Sequence, residues 1–311
     1  MKQILFVLLL MVPAPALAND KITVMLDWFV NPDHGPIIVA KQKGYFHDVG
    51  LDVEIIAPAD PSDPPKMVAA GKADLAVTYQ PQLYLQHEEG LPLVRVGTLI
   101  NSPLYCVLTK ANGPVKKLAN LKGHKVGFSV AGIEEAMLGT MLKSDGISID
   151  QVEMVNVNFS LAPSLASGQV DAVSGAFRNF EPHQLETLGQ KGLCFNPEDH
   201  GVPNYDELIY TANPNKLNRD AIQRFLAATE HAAADIAADP DSAWKVFSSY
   251  APELQDDLNK KAWTDTYQHF AVHPAALDKT RYAEFGAYMQ KLGLIKAAPD
   301  VASIAQDVTV K

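Results

Sequence analysis

The chain has 311 residues, 47% of them apolar and 20% charged, with a formal charge of −10. That composition argues against disorder, and the length suits two domains of ordinary size, each burying its own core. An acidic chain with no basic run is a poor match for nucleic acid or anionic lipid.

The first residues combine a positive start at Lys2, an apolar run from Ile4 to Val12 and the small-x-small pattern Ala16-Leu17-Ala18. Residues 1–18 therefore read as a signal peptide cleaved near Ala18, and a secreted, periplasmic product is expected. The run is too short for a permanent membrane span, and no later stretch is long and apolar enough for one. No cysteine follows the cleavage point, so no lipid anchor is expected. Losing residues 1–18, whose only charged side chain is Lys2, leaves a charge of −11.

Strands and helices then alternate. A strand is expected at 21–26, followed by a loop and a helix over 36–43 closed by Gly44. A second strand covers 51–56. Asp63 offers an N-cap, Pro64 and Pro65 suit a first helical turn, and Gly71 ends that helix. A third strand at 74–78 leads into a helix over 81–89 ending at Gly90. The pattern restarts with a strand at 125–129, a helix over 133–144, a strand at 152–157 and a short helix at 163–167 ending at Gly168. Such alternation argues for parallel sheet covered by helices.

Two segments align without gaps, Ala70-Gly71-Lys72-Ala73-Asp74-Leu75-Ala76-Val77 and Ser167-Gly168-Gln169-Val170-Asp171-Ala172-Val173-Ser174. Both read as helix end, glycine, turn, aspartate, strand, at equivalent places in the two runs. Two similar α/β lobes, each Rossmann-like, are expected. Apolar Leu208-Ile209-Tyr210 would carry the chain out of the second lobe, and the rest is mostly helical, over 219–238, through Trp244, and over 260–268 and 279–292. Lobe 1 is therefore expected to be discontinuous (19–102 plus 208–311), with 103–207 forming lobe 2.

In parallel α/β lobes, ligands sit at the carboxyl ends of strands, and two facing lobes enclose a cleft that can close. The loops at those ends are 27–34, 78–82, 129–134 and 177–182. They supply flat apolar faces in Trp28, Phe29, Tyr79, Phe177 and Phe180, and directional polar groups in Asp27, Asn31, Gln80, Asn179 and Glu181. Aromatic walls with a few convergent polar groups suit a planar, polar heterocycle. Taken singly, any of these aromatics could equally be core, and any of the acids a helix cap.

Gly127-Phe128-Ser129-Val130-Ala131-Gly132 loosely follows a nucleophile elbow, but Ala131 stands where the second glycine is required. Ser129 reads better as a helix cap whose neighbouring N–H groups bind a ligand's acceptors, a hydrolase using Ser129 being the enzyme alternative. The nine histidines show no metal-ligand spacing, and no phosphate-binding glycine motif is present, so neither metal nor cofactor is expected. Cys106 and Cys194 each lie in an apolar, strand-like stretch. An oxidising compartment permits a disulfide, but two separate buried thiols are the simpler reading.

One segment is specific. Asp27-Trp28-Phe29-Val30-Asn31-Pro32-Asp33-His34-Gly35 resembles the D-W-x-x-N-x-x-H opening of the thiamine-pyrimidine family, which joins ThiY-like importer proteins and the fungal enzymes that make the thiamine pyrimidine. The likeness continues through Ala40-Lys41-Gln42-Lys43-Gly44-Tyr45-Phe46, Gly71-Lys72-Ala73-Asp74 and Tyr79-Gln80-Pro81, to about Glu181. It implies a type II periplasmic binding protein fold (a Venus flytrap) and a ligand such as formylaminopyrimidine or hydroxymethylpyrimidine. It also implies Trp28 stacked on the ring, Asn31 and His34 near it, Tyr79 as a second wall, and Glu181 accepting from the exocyclic amine. The fungal enzymes carry a lysine for pyridoxal phosphate and, four residues later, a histidine. Here those places hold Thr78 and Gln82, and the fungal cysteine-rich run is absent. Without the lysine no Schiff base can form, so binding without chemistry is expected. The resemblance implies a monomer serving the permease of an ABC importer, with sulfonate, nitrate or amino-acid ligands as alternatives on the same fold.

Overall fold

The structure, a computed structural model, describes residues 19–309; the expected signal peptide, 1–18, lies outside them. Among these described residues, ten strands form two five-stranded sheets. They are β1 (Asp20–Met25), β2 (Leu51–Ile56), β3 (Leu75–Thr78), β4 (Val94–Ile100), β5 (Tyr105–Lys110), β6 (Lys125–Phe128), β7 (Glu153–Asn156), β8 (Ala172–Phe177), β9 (Gly192–Phe195) and β10 (Leu208–Ala212). The orders are β2-β1-β3-β10-β4 and β7-β6-β8-β5-β9. Position for position the sheets are alike, with β5 standing in the second where β10 stands in the first.

Three neighbouring strands of each sheet show the expected parallel pairing, and one antiparallel strand with its outer neighbour completes it, so the sheets are mixed. β1 pairs in parallel with β2 and β3, as β6 does with β7 and β8. β10 and β5 run antiparallel to their neighbours. These two strands begin where the chain arrives from the other sheet, after 101–104 and 196–207, so no crossover helix is needed to bring them in.

The repeated aspartate has the same task in both sheets. Asp74 Oδ2 accepts from the Thr23 amide (2.8 Å) and its own amide donates to the Thr23 carbonyl (3.1 Å). Asp171 makes the matching pair with Lys125, at 3.0 and 2.8 Å. Each aspartate thus ties the start of the third parallel strand to the first. The preceding glycines, Gly71 and Gly168, have φ of +71° and +78°, the left-handed turn that a side chain disfavours.

The later helices follow the pattern of the sequence. Arg219–Ala238 buries Ile222, Phe225, Leu226, Ala232 and Ile236, a stripe at three- and four-residue spacing, and Asn218 caps it through the Ala221 amide (3.2 Å). Asp239 ends that helix and caps the next, Pro240–Ser248, through the Ser242 amide.

Two local expectations change. Over 133–144 the backbone forms a π-helical turn, Glu135–Gly139, before the α-helix Thr140–Ser144. The Tyr288 hydroxyl, from the helix Lys279–Lys291, donates to the Ala136 carbonyl and, with its oxygen 2.7 Å from Thr140 Oγ1, accepts from that hydroxyl, satisfying polar groups at that irregular turn. Cys106 and Cys194, read as separate thiols, are a disulfide with Cα atoms 5.5 Å apart. β5 and β9 are antiparallel neighbours with Leu108 opposite Cys194, a proximity that a separation of 88 residues conceals. Among the described residues no helix is long and apolar enough to cross a membrane, and no cluster of metal-binding side chains occurs.

Candidate functional site

Between the sheets lies a cleft of about 640 Å³ of empty space, counting its open part. It is bounded by the segments that follow β1, β3, β6 and β8, the four loops expected from the sequence. Of the residues expected there, Asp27, Trp28, Asn31, Tyr79, Ser129, Phe177, Phe180 and Glu181 line it, whereas Phe29 is exposed outside the lining.

The loop after β1 is a closed hydrogen-bond circuit, which explains the spacing of its motif. Asn31 Oδ1 accepts from the Asp33 amide (2.8 Å), and His34 Nδ1 accepts from the Asn31 amide (3.3 Å), boxing the 3-10 turn Pro32–His34. Because Nδ1 accepts, Nε2 carries the proton and donates to Asp27 Oδ1 (2.9 Å). Tyr79 donates its hydroxyl to Asp27 Oδ2 (2.9 Å). Asp27 is thereby fixed on the cleft wall from behind by a wholly buried histidine.

Gly35 completes the motif. A Cβ there would lie 2.6 Å from the Phe270 ring and 2.9 Å from Trp263. Gly35→Ala should therefore destabilise the fold by about 1–3 kcal/mol through overpacking. Chemical denaturation would measure it, and an unchanged midpoint would show that both rings can give way.

The aromatic walls are set at angles to one another. Trp28 meets Phe159 edge-on at 4.6 Å between centroids, and its buried Nε1 has no hydrogen-bond partner among the described residues. Tyr79 and Phe177 are perpendicular, 6.2 Å apart. Between these walls the polar lining is dominated by carboxylates. Asp27, Asp33, Glu134, Glu181 and Glu207 all contribute, and among the described residues no lysine, arginine or histidine does. Burial pushes the acids up: Glu181 to about 8, Glu207 to about 7 and Asp33 to about 6. The Phe177 amide, donating to Glu181 Oε2 at 2.6 Å, opposes that rise, whereas the nearby charges of Asp33 and Asp27 add to it.

Three expected site residues stand back from the cleft. His34 is behind Asp27. Gln80 accepts from the Asp206 amide (2.7 Å) and donates to the Tyr84 hydroxyl (3.3 Å), bracing the returning chain. Asn179 donates to Asp33 Oδ1 and Thr266 Oγ1, both at 2.6 Å, joining the second sheet's β8 loop to the first sheet's side of the cleft. All three are buried. Ser129 lines the cleft but is neither a helix cap nor a poised nucleophile, since its hydroxyl donates to the Asn158 carbonyl. Thr78 and Gln82 are bonded to each other at 2.7 Å and buried.

The sequence reading missed Asp33, Tyr105, Ser174 and Glu207 as lining residues. Asp33 was legible in principle, lying inside the motif. Tyr105, whose hydroxyl meets Ser174 Oγ at 2.6 Å, and Glu207 sit where the chain passes between sheets, which no local pattern marks.

The model of the NMT1/THI5-like family matches residues 31–243. A Haemophilus influenzae protein named for thiamine biosynthesis is 53% identical over 97% of each chain. A formylaminopyrimidine-binding protein of Halalkalibacterium halodurans is 39% identical over 63% of this chain and 59% of its own. A 4-amino-5-hydroxymethyl-2-methylpyrimidine phosphate synthase of Saccharomyces cerevisiae is 28% identical over 82% of this chain and 78% of its own. Among solved structures, the alkanesulfonate-binding protein of Xanthomonas axonopodis pv. citri shares the fold, with a TM-score of 0.73 at 15% identity over 94% of this chain and 99% of that one. The fold is that of the type II periplasmic binding proteins.

Proposed function

The chain belongs to the NMT1/THI5-like family, and on that premise we propose that it captures a thiamine pyrimidine precursor, formylaminopyrimidine or hydroxymethylpyrimidine, in the periplasm and delivers it to the permease of an ABC importer. It acts as a monomer, without cofactor and without chemistry of its own. The observation that carries this reading is a cleft with aromatic walls that is lined by five carboxylic acids and, among the described residues, by no basic side chain. Such a lining recognises a flat ring bearing N–H donors. The same lining repels sulfonate or nitrate, because a buried anion facing several carboxylates has no compensating cation.

The formylaminopyrimidine-binding relative supports the ligand class. The yeast relative is named as a synthase, and the positions that separate binding from synthesis are 78 and 82. Thr78 and Gln82 bond to each other and offer neither an amine for pyridoxal phosphate nor an imidazole. In this reading Trp28 and Tyr79 wall the ring, and Glu181 accepts from the 4-amino group.

Calorimetric titration of the mature protein tests the proposal. One-to-one binding of either pyrimidine with no cofactor added is the expected result. Tight binding of an alkanesulfonate with none of the pyrimidines bound would overturn it.

A further inference from the structure

Phe29, expected as a flat face of the cleft, stands outside its lining and is 37% exposed. Its ring packs on three others: Trp28 at 5.6 Å between centroids, Phe180 at 6.0 Å and Phe159 at 6.5 Å. Trp28 and Phe180 line the cleft, whereas Phe29 and Phe159 do not. Phe159 and Phe180 follow β7 and β8 of the second sheet, so Phe29 reaches them from the other side, out of the loop after β1.

Trp28 makes the same crossing more deeply. It is buried in a hydrophobic cluster whose other members, Cys106, Leu108, Leu161 and Val173 among them, belong to the second sheet and the segments packed on it. The turn that presents Phe159 to both rings is braced. Asn158 has φ of +50°, a left-handed conformation that asparagine tolerates. Its amide donates to Asn156 Oδ1 (2.8 Å), and its carbonyl accepts from the Ser129 hydroxyl.

These rings meet far from the passages that join the sheets. Segments 101–104 and 196–207 link β4 to β5 and β9 to β10, the two strands at one end of each sheet. β7 is the strand at the opposite end of the second sheet, and β1 is next to the opposite end of the first. Two bodies joined along one side part most widely at the other, so the ring contacts belong to the closed cleft.

Resting on the reading that this cleft captures a small planar ligand, we infer that Phe29 is a gate residue: packed across the mouth against Phe159 and Phe180, it holds the cleft shut over a ligand that it does not touch. Contacts made only in the closed state slow release, whereas entry depends on the open one.

The test is stopped-flow kinetics with 4-amino-5-hydroxymethyl-2-methylpyrimidine. Phe29→Ala should raise the dissociation rate about tenfold, the size of two lost ring contacts, and change the association rate by less than about threefold. Phe29→Tyr, which keeps the ring, should release ligand within about threefold of the wild-type rate. Phe159→Ala should also speed release, and adding Phe29→Ala to it should then have a smaller effect than in wild type, because one partner ring is already gone. Being partly exposed, Phe29 contributes little to the core, and unliganded Phe29→Ala should melt close to wild type. An unchanged dissociation rate in Phe29→Ala, or a loss of affinity carried wholly by slower association, overturns the gate and leaves the pyrimidine function standing. A wild type that binds no aminopyrimidine sinks that function and the gate with it.

Discussion

Glu181→Gln should weaken binding of the aminopyrimidine by about tenfold to a hundredfold, the size expected for losing a charge-assisted hydrogen bond in a dry site. Glutamine keeps the shape but removes the charge. Its carbonyl can still accept from the Phe177 amide, as Oε2 does now, and the remaining position then presents N–H groups to the ligand's own amine. A des-amino analogue should bind wild type and variant alike. Equal losses for both ligands would show that Glu181 serves only to cap its helix.

The same variant should change the pH dependence of the unliganded protein. Burial raises Glu181 from 4.5 to about 8, so between those values the native state holds a proton that the unfolded state has released. Stability from this group is therefore fully present below about 4.5 and is lost as pH rises through 8. Glu207, raised to about 7, and Asp33, raised to about 6, act in the same direction over lower ranges. Thermal melts from pH 5 to 9 should show wild type losing stability toward the alkaline end, with Glu181→Gln flatter and more stable than wild type near pH 8. A variant with the wild-type slope would place the titration elsewhere. Bound ligand should also flatten the wild-type curve, because its donors compensate the ionised carboxylate.

The second large effect is on stability. Opening the Cys106–Cys194 disulfide releases a loop closed over 88 residues; chain entropy for a loop of that size sets an upper value of about 4.6 kcal/mol, and the typical loss is about 2–4 kcal/mol. The melting temperature should fall by about 5–10 °C on reduction. The double variant Cys106→Ala, Cys194→Ala should melt at the temperature of the reduced protein and be indifferent to reductant. Neither cysteine lines the cleft, so ligand should still protect the reduced form. Identical melting with and without reductant would mean that the unfolded chain gains no freedom from the break.

Much of this architecture is legible in the chain itself, because its signals are local. Glycines that must adopt positive φ end helices at Gly71 and Gly168, aspartates follow them at a fixed interval, and apolar stripes at helical spacing run through Arg219–Ala238. Together they gave the alternation, the doubling into two like sheets and the four loops that bound the cleft. The opening motif likewise announced itself, since the Asn31–His34 box and the His34–Asp27 bond join residues three and seven apart. What the sequence could not decide is which side of a buried network each polar residue faces. His34, Gln80 and Asn179 have the composition of ligand contacts, yet their hydrogen bonds are spent on Asp27, Asp206, Asp33 and Thr266. Nor could it join Cys106 to Cys194, or bring Glu207 to the amides of Leu104 and Tyr105. Those contacts span 88 and about a hundred residues, and they exist only because β5 and β10 each enter a sheet from the other side. Local propensity fixes where strands and turns fall; the order in which strands pair is set by burying two sheet faces at once, and only that packing determines which distant side chains share the cleft.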